Sequence, residues 1–407
     1  MRSKTAAESR HEHRTDNSPP RPGTRLPLPA QNVNSNDYAA LKDTATRVFS
    51  HSGHHHLPAC GQGPESALVG LISGSYPLLA IVGPTAAGKS ALALALAERL
   101  GGEIINCDSV QVYRGFDIGT GKTPADERRG IPHHLLDLVE PDEDFTAGDF
   151  RREAEGVLAA VRTRGNLPII VGGTGLYLRA LLLGLFEGPS RSTELRARLE
   201  GLAHRRGREF LHRLLGRLDP AAAARIHSRD TQKTLRALEV CVLARRPVSA
   251  LQAQGRRGLR GFRVVKIGLA PERAELTGRI NARVIRMFDR GLLEETRRAL
   301  GRSPDTRHLK PLGALGYRQA CTVLLGGIRR EEAISATQAA TRQYAKRQMT
   351  WFRRESDVTW FAGFGDEEAI QGRVLDWLAR TWPAFAAAAR KSSHRPHVSR
   401  TSNGKDA

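Results

Sequence analysis

The sequence predicts an α/β fold: a P-loop NTPase-like parallel sheet flanked by helices, with a small all-helical insertion and a helical C-terminal part. Three observations carry that expectation. The apolar run Tyr76–Val82 is followed by Gly83-Pro84-Thr85-Ala86-Ala87-Gly88-Lys89-Ser90 and then by the helix-forming ALALALAERL. That is strand, glycine-rich loop and helix, in the order a phosphate-binding loop needs. Two further apolar runs, Glu103–Cys107 and Leu167–Val171, have strand length, and in a doubly wound sheet their carboxyl ends face the loop. From residue 190 the pattern changes to short basic helical stretches broken by glycines.

Within the loop, Gly83 and Gly88 let the backbone curl so that successive N–H groups point at phosphate oxygens. The helix starting near Lys89 adds its positive dipole end. Lys89 supplies a mobile cation, and the Ser90 hydroxyl is a candidate ligand for Mg²⁺. The motif specifies a di- or triphosphate, not ATP in particular. An ATPase or GTPase also needs an apolar strand ending in a metal-holding acid. Leu167–Val171 runs instead into Gly172-Gly173-Thr174-Gly175, and no NKxD motif occurs. Glu103–Cys107 does end in an acid, Asp108, followed by Ser109. Asp108 is placed to take a proton from a nucleophile or to assist the metal; the alternative is a helix N-cap or turn residue. Thr174 offers a hydroxyl and backbone N–H groups to an anion, or else forms a turn with no ligand.

The 407 residues carry a net charge of +21, which suggests a polyanionic partner without saying which. The excess is unevenly spread. Residues 76–189, the P-loop core, hold 11 basic and 15 acidic residues, whereas residues 190–262 hold 17 and 6. Residues 263–385, read as the return to the core and C-terminal helices, hold 22 and 14. Residues 1–75 are rich in Ser, Pro, Asn and His and read as a disordered extension or the product of an upstream start codon. Their acids argue against a transit peptide, and they lack the apolar stretch of a secretory signal. The tail 386–407 reads as mobile. No run approaches the roughly 20 apolar residues of a membrane helix. The scattered Cys60, Cys107, Cys241 and Cys321 form no metal or disulfide pattern, which fits a reducing, cytoplasmic setting.

Five stretches resemble the tRNA dimethylallyltransferases, the isopentenyl-diphosphate:tRNA transferases. They are GPTAAGKS (83–90), INCDSVQVYRGFDIGTGK (105–122), PHHLLDLVEPDEDFTAGDFRREA (132–154), PIIVGGTGLYLRALLLGL (168–185) and ATRQYAKRQMTWFRR (340–354). The resemblance runs from about Leu78 to Phe361 and implies a reaction. The N6 amino group of the adenosine just 3′ of the anticodon attacks C1 of dimethylallyl diphosphate, and diphosphate leaves. On motif match Asp108 is the general base, and residues Gly83 to Ser90 hold the diphosphate, with Ser90 on Mg²⁺. Thr174 looks like the family threonine near the reacting centre. Arg283 looks like the arginine that grips the diphosphate, with Arg279 one turn earlier as the fallback.

The resemblance also gives the basic block a role, as the helical insertion packed around the anticodon stem-loop. Its expected helices are Glu194–Ala203, Arg208–Leu218 and Thr231–Leu243. Basic residues there would contact phosphates and give affinity without sequence readout. The implied tRNA contacts are Asp108, Ser109, Val110 and Gln111; Thr174; Arg196; Gln232, Lys233, Thr234, Leu235 and Arg236; and Gly316, Tyr317 and Arg318. For Arg196, Lys233 and Arg236 the alternative is a solvated helix charge. Gly313 stands where some relatives carry an arginine, and no cysteine follows Cys321, so the C-terminal zinc finger of some eukaryotic relatives is not expected here. The helix ATRQYAKRQMTWFRR clamps either the core or the RNA, and Trp351 and Phe352 are expected to pack rather than stack on bases. A monomer is the default. The rival is an ATP-dependent P-loop small-molecule or nucleoside kinase, which explains the loop and Asp108 but not the basic insertion.

Overall fold

The computed structural model describes residues 75–302 and 309–382. The N-terminal extension before Ser75, with its His cluster and Cys60, and the tail 386–407 lie outside the described residues. Six parallel strands form one sheet in the order β3-β2-β4-β1-β5-β6. They are β1 (Tyr76–Val82), β2 (Gly102–Asn106), β3 (His133–His134), β4 (Leu167–Val171), β5 (Phe262–Leu269) and β6 (Val358–Phe361). β1 sits centrally, with Leu79 opposite Ile169 of β4 and Val265 of β5.

β1 and β4 are continuous apolar runs because both faces of the sheet are covered there. In β1, Leu79 and Ile81 face one layer, and Leu78, Ala80 and Val82 face the other. On the first side pack α1 (Lys89–Leu100) and α13 (Glu368–Thr381), through Leu92, Leu96, Ile370 and Val374. On the second pack α2 (Ala147–Thr163) and α3 (Gly175–Leu183), through Phe150, Leu158, Tyr177 and Leu181. Thr146 starts α2 with a capping box, its hydroxyl accepting from the Asp149 N–H while Asp149 accepts from the Thr146 N–H.

A third cluster joins the loop after β2 to the C-terminal helices. Val112, Tyr113 and Phe116 pack with Val284, Phe288, Leu292 and Tyr317. The helices are α9 (Arg273–Asp289), α10 (Leu292–Gly301), α11 (Tyr317–Leu324) and α12 (Arg330–Phe352).

Residues 189–249 form a compact unit of their own. Its helices are α4 (Thr193–Arg206), α5 (Arg208–Leu218), α6 (Pro220–Arg225) and α7 (Thr231–Ala244), followed by the start of α8 (Val248–Ala253). Leu195, Leu199, Phe210, Leu214, Leu235 and Leu238 make its core. Asp219-Pro220 is the corner: Asp219 caps α6 by accepting from the Ala222 N–H at 2.9 Å, and also accepts from the Ser249 N–H at 2.7 Å. The range 190–262 expected for the insertion ends on Phe262, which is the first residue of β5.

Candidate active site

Because β1, β2 and β4 run parallel, the loops that follow them share one edge of the sheet. Residues 85–91, Asp108, Gln111, Gly172 and Gly173 from these loops line a cavity of about 390 Å³. Gly88 occurs at φ +80° where the loop turns into α1, and a Cβ there would stand 2.7 Å from the Gly365 nitrogen. The position admits no side chain on either ground. The amides of Ala86, Gly88, Lys89 and Ser90 make no hydrogen bond to protein among the described residues, so they are free to receive anion oxygens. Gly83 and Pro84, expected to touch the diphosphate, do not line this cavity. They shape the loop from outside: Gly83 abuts Leu269, and the Pro84 carbonyl accepts from Lys89 Nζ at 2.7 Å. Burial, reinforced by the neighbouring Arg283 and opposed by Asp108, pushes the Lys89 ammonium down to about 8. Ser90 is exposed on the same wall.

Asp108 follows β2 closely. Its Oδ1 accepts from the Val110 N–H at 2.9 Å and the Gln111 N–H at 3.4 Å, so the turn role anticipated for it is also filled. Oδ2 carries no protein hydrogen bond among the described residues. A second cavity of about 300 Å³ adjoins the first, and Thr85, Asp108, Thr120, Arg283, Met287 and Tyr344 belong to both. Ser109, Val110, Gly313, Arg318 and Arg347 line only the second. A carboxylate oxygen therefore stands where a phosphate cradle meets a second opening.

Thr174 is a correction. It lines neither cavity; its hydroxyl accepts from the Ser109 N–H at 3.1 Å, and its own N–H donates to the Cys107 carbonyl at 3.3 Å. It positions the turn that carries Asp108 and offers no free group to an anion.

The two candidate arginines separate clearly. Arg283 lines both cavities, and burial and nearby Arg286 pull its pKa down while Asp108 pulls it up. A guanidinium stays charged regardless. Arg279 is engaged elsewhere: its Nη1 lies 2.6 Å from both Asp366 oxygens, and its guanidinium carbon lies 3.6 Å from the centre of the Phe364 ring. The fallback assignment to Arg279 is therefore withdrawn. Gly121, at φ +62°, gives Arg283 its place, since a Cβ there would come within 2.0 Å of Nη2.

Tyr317 and Gly316, expected to touch RNA, are buried, Tyr317 completely. Tyr317 instead donates to Glu295 at 2.5 Å and accepts from the Gly119 N–H at 3.0 Å. The Glu295 carboxylate also accepts from the N–H groups of Asp117, Ile118 and Gly119 at 2.9 to 3.2 Å. This nest fixes the loop 117–122, whose Ile118, Thr120, Gly121 and Lys122 form a cavity wall. Of the expected GYR contact only Arg318 is exposed and faces the second cavity.

Helix α12 clamps the core. Phe352 is 1% exposed, and Trp351 packs beside it with Arg179 4.4 Å above its ring, as the sequence anticipated for both aromatics. Tyr344 and Gln348 on this helix were not anticipated from the sequence, where Trp351 and Phe352 stood out instead. Both line the first cavity. Their spacing of four places them on one helix face, which is the signal that was available.

In the 189–249 unit, Gln232 and Lys233 are exposed, and Arg236 is half-buried against Glu239 at 2.9 Å. Thr234 and Leu235, also expected as RNA contacts, are each 1% exposed and turn their side chains inward. Arg196 is mostly covered, donating to Gln232 at 2.5 Å and lying 3.8 Å from Glu239.

A family model described as IPP transferase matches residues 111–355, and one described as isopentenyl transferase matches residues 76–140. A tRNA dimethylallyltransferase of Koribacter versatilis is 54% identical over 302 residues, covering 74% of this chain and 98% of that protein. One from Geobacter metallireducens is 49% identical, covering 73% and 96%. Among solved structures, a full-length tRNA isopentenylpyrophosphate transferase from Bacillus halodurans aligns with a TM-score of 0.53 at 37% identity, covering 78% of this chain and 98% of that one. A eukaryotic dimethylallyltransferase captured acting on tRNA aligns with a TM-score of 0.63 at 26% identity, covering 80% and 82%.

Proposed function

The chain belongs to the IPP transferase family, in which its curated relatives are tRNA dimethylallyltransferases, and on that premise we propose that it transfers the dimethylallyl group of dimethylallyl diphosphate to N6 of the adenosine 3′-adjacent to the anticodon, position 37. The observation that carries the reading is the free Oδ2 of Asp108, set between a phosphate cradle and a second opening. A kinase is not favoured, because the relatives transfer a prenyl group.

The diphosphate sits on the free amides of the P-loop, with Lys89 and Arg283 against its oxygens. The adenine enters from the second cavity, past Val110, Arg318 and Arg347, after leaving its stack; a loop nucleotide is the cheapest to flip. N6 forms its bond to C1 as the C1–O bond breaks, the electron pair leaves with diphosphate, and Asp108 Oδ2 takes the N6 proton. The exocyclic amine is a weak nucleophile, so a positioned carboxylate accelerates attack by roughly 10²–10⁴-fold. Charge grows on the leaving group, where Lys89, Arg283 and the amides are already aimed. Ile118, Leu136 and Met287 supply apolar wall that limits water at the allylic carbon.

Among the described residues no cluster of three or more His, Cys, Asp or Glu side chains is arranged to hold a metal. The Ser90 hydroxyl, exposed on the cavity wall, fits Mg²⁺, which takes one or two protein ligands and completes its shell with phosphates and water. Ser90 would hold it, and the ion would neutralise charge on the diphosphate. No helix among the described residues is long and apolar enough to cross a membrane. Incubating the protein with unmodified tRNA, Mg²⁺ and dimethylallyl diphosphate, then digesting the tRNA for mass spectrometry, should show prenylated adenosine. ATP consumption with a small acceptor and no prenylated product would overturn the reading.

A further inference from the structure

We propose that Gln348 is a positioning residue of this reaction: its buried carboxamide ties the phosphate loop to the loop that orients Asp108, and so sets where the leaving group sits relative to the base. The proposal rests on the prenyl transfer described above. Gln348 is 5% exposed, on the face of α12 toward the first cavity. Its Oε1 accepts from the Thr85 N–H at 2.8 Å, and its Nε2 donates to the Gly173 carbonyl at 3.0 Å.

The two anchor points belong to the two halves of the site. Thr85 is in the phosphate loop. Gly173 precedes Thr174, whose hydroxyl holds the Ser109 N–H beside Asp108. The path Thr85–Gln348–Gly173–Thr174–Ser109 thus joins cradle to base through two side chains and three hydrogen bonds. The close fit is built in, because a Cβ on Gly173 would lie 2.0 Å from Gln348 Nε2. Gln348 also removes the Thr85 amide from the set available to phosphate and leaves the later amides of the loop to define the anion's seat. Tyr344, one turn earlier, lines both cavities and has its phenol pushed up to about 12, chiefly by burial, so it remains a neutral hydroxyl beside this path.

A side chain that only fills space would be replaced by leucine at little cost to turnover in the folded protein. A positioning role predicts otherwise. Gln348→Leu keeps tRNA affinity but lowers kcat roughly 10- to 100-fold, the penalty for misplacing reacting groups by a fraction of an ångström. Gln348→Glu supplies a second readout and guards against a leucine variant that fails to fold. An ionised glutamate can accept from Thr85 but opposes the Gly173 carbonyl; protonated, it donates there as glutamine does. Burial raises its pKa. The ratio of kcat for Gln348→Glu to kcat for wild type should therefore rise several-fold as pH falls from about 8 to about 6. A ratio flat with pH, or a folded Gln348→Leu protein with wild-type kcat, would overturn the proposal. Absence of prenyl transfer by the wild type would instead remove the reaction it depends on.

Discussion

Removing the Glu295 carboxylate tests how the cavity wall is held. Glu295 is 4% exposed, yet four donors converge on it: the N–H groups of Asp117, Ile118 and Gly119 and the phenol of Tyr317. Truncation to alanine leaves the Asp117 and Ile118 N–H groups and the Tyr317 phenol without an acceptor, and leaves the Gly119 N–H with the Tyr317 oxygen alone. Each buried group left unpaired costs about 1–3 kcal/mol. Water entering the vacated space relieves part of this, so the lower end applies to each. Glu295→Ala should destabilise the protein by about 3–5 kcal/mol, the range seen when a buried charged partner is removed. Tyr317→Phe removes one donor from Glu295 and leaves the Gly119 N–H with the carboxylate alone, for about 1–2 kcal/mol. The two losses share a network and will not add; the double variant should recover about 1 kcal/mol of their sum. Equilibrium denaturation in urea with unchanged m-value is the assay. Glu295→Ala within about 0.5 kcal/mol of wild type, the range of an ordinary surface change, would refute the nest as the support of the 117–122 loop.

Other expectations follow from the same geometry. Arg283→Ala should lower kcat/KM by roughly 10²–10³-fold, whereas Arg279→Ala, which breaks the Asp366 and Glu367 pairs and the contact with the Phe364 ring, should leave turnover near wild type and show its effect in the melting temperature. With the Lys89 ammonium at about 8 in the free enzyme, kcat/KM should decline as pH rises through that value. The limb for kcat should lie higher, because bound diphosphate favours the charged form. The same depressed pKa has a stability consequence. Between about 8 and the ordinary value of 10.5 the unfolded chain binds more protons than the folded one, so folding stability rises with pH there; Lys89→Met should melt higher than wild type at neutral pH and lose that rise. Lys233→Ala should weaken tRNA binding across sequences and reduce the salt slope by about 0.7–0.9, as for one phosphate contact.

The parts of the site legible in the sequence are those that local chemistry fixes. β1 and β4 fall where the apolar runs place them, because a strand covered on both faces has no polar position to blur its limits. The phosphate loop and Asp108 are readable for a related reason, since strand, loop and helix specify one another over a few residues. β5 was less visible: Arg263 and Lys266 interrupt FRVVKIGL, and its first half is only partly covered. Long-range partners account for the remaining differences. Arg279 and Arg283 lie one turn apart and read alike until Asp366, 87 residues away, claims the first. Thr174 and Tyr317 look available in sequence, and their hydroxyls are taken by Ser109 and Glu295. Gln348 shows in sequence only as a neighbour of Tyr344 on one helix face, because a buried amide acquires its role from the two loops it reaches.

The central claim is that Asp108 Oδ2 takes the proton from the attacking adenine amine. The most direct measurement is single-turnover prenylation of tRNA by Asp108→Asn at saturating substrates, beside its tRNA affinity. Asparagine can still accept from Val110 and Gln111 through its oxygen, so the turn and the RNA contact survive. The account predicts affinity near wild type and a prenylation rate lower by roughly 10²–10⁴-fold, the worth of a general base. Wild-type turnover in that variant would contradict it.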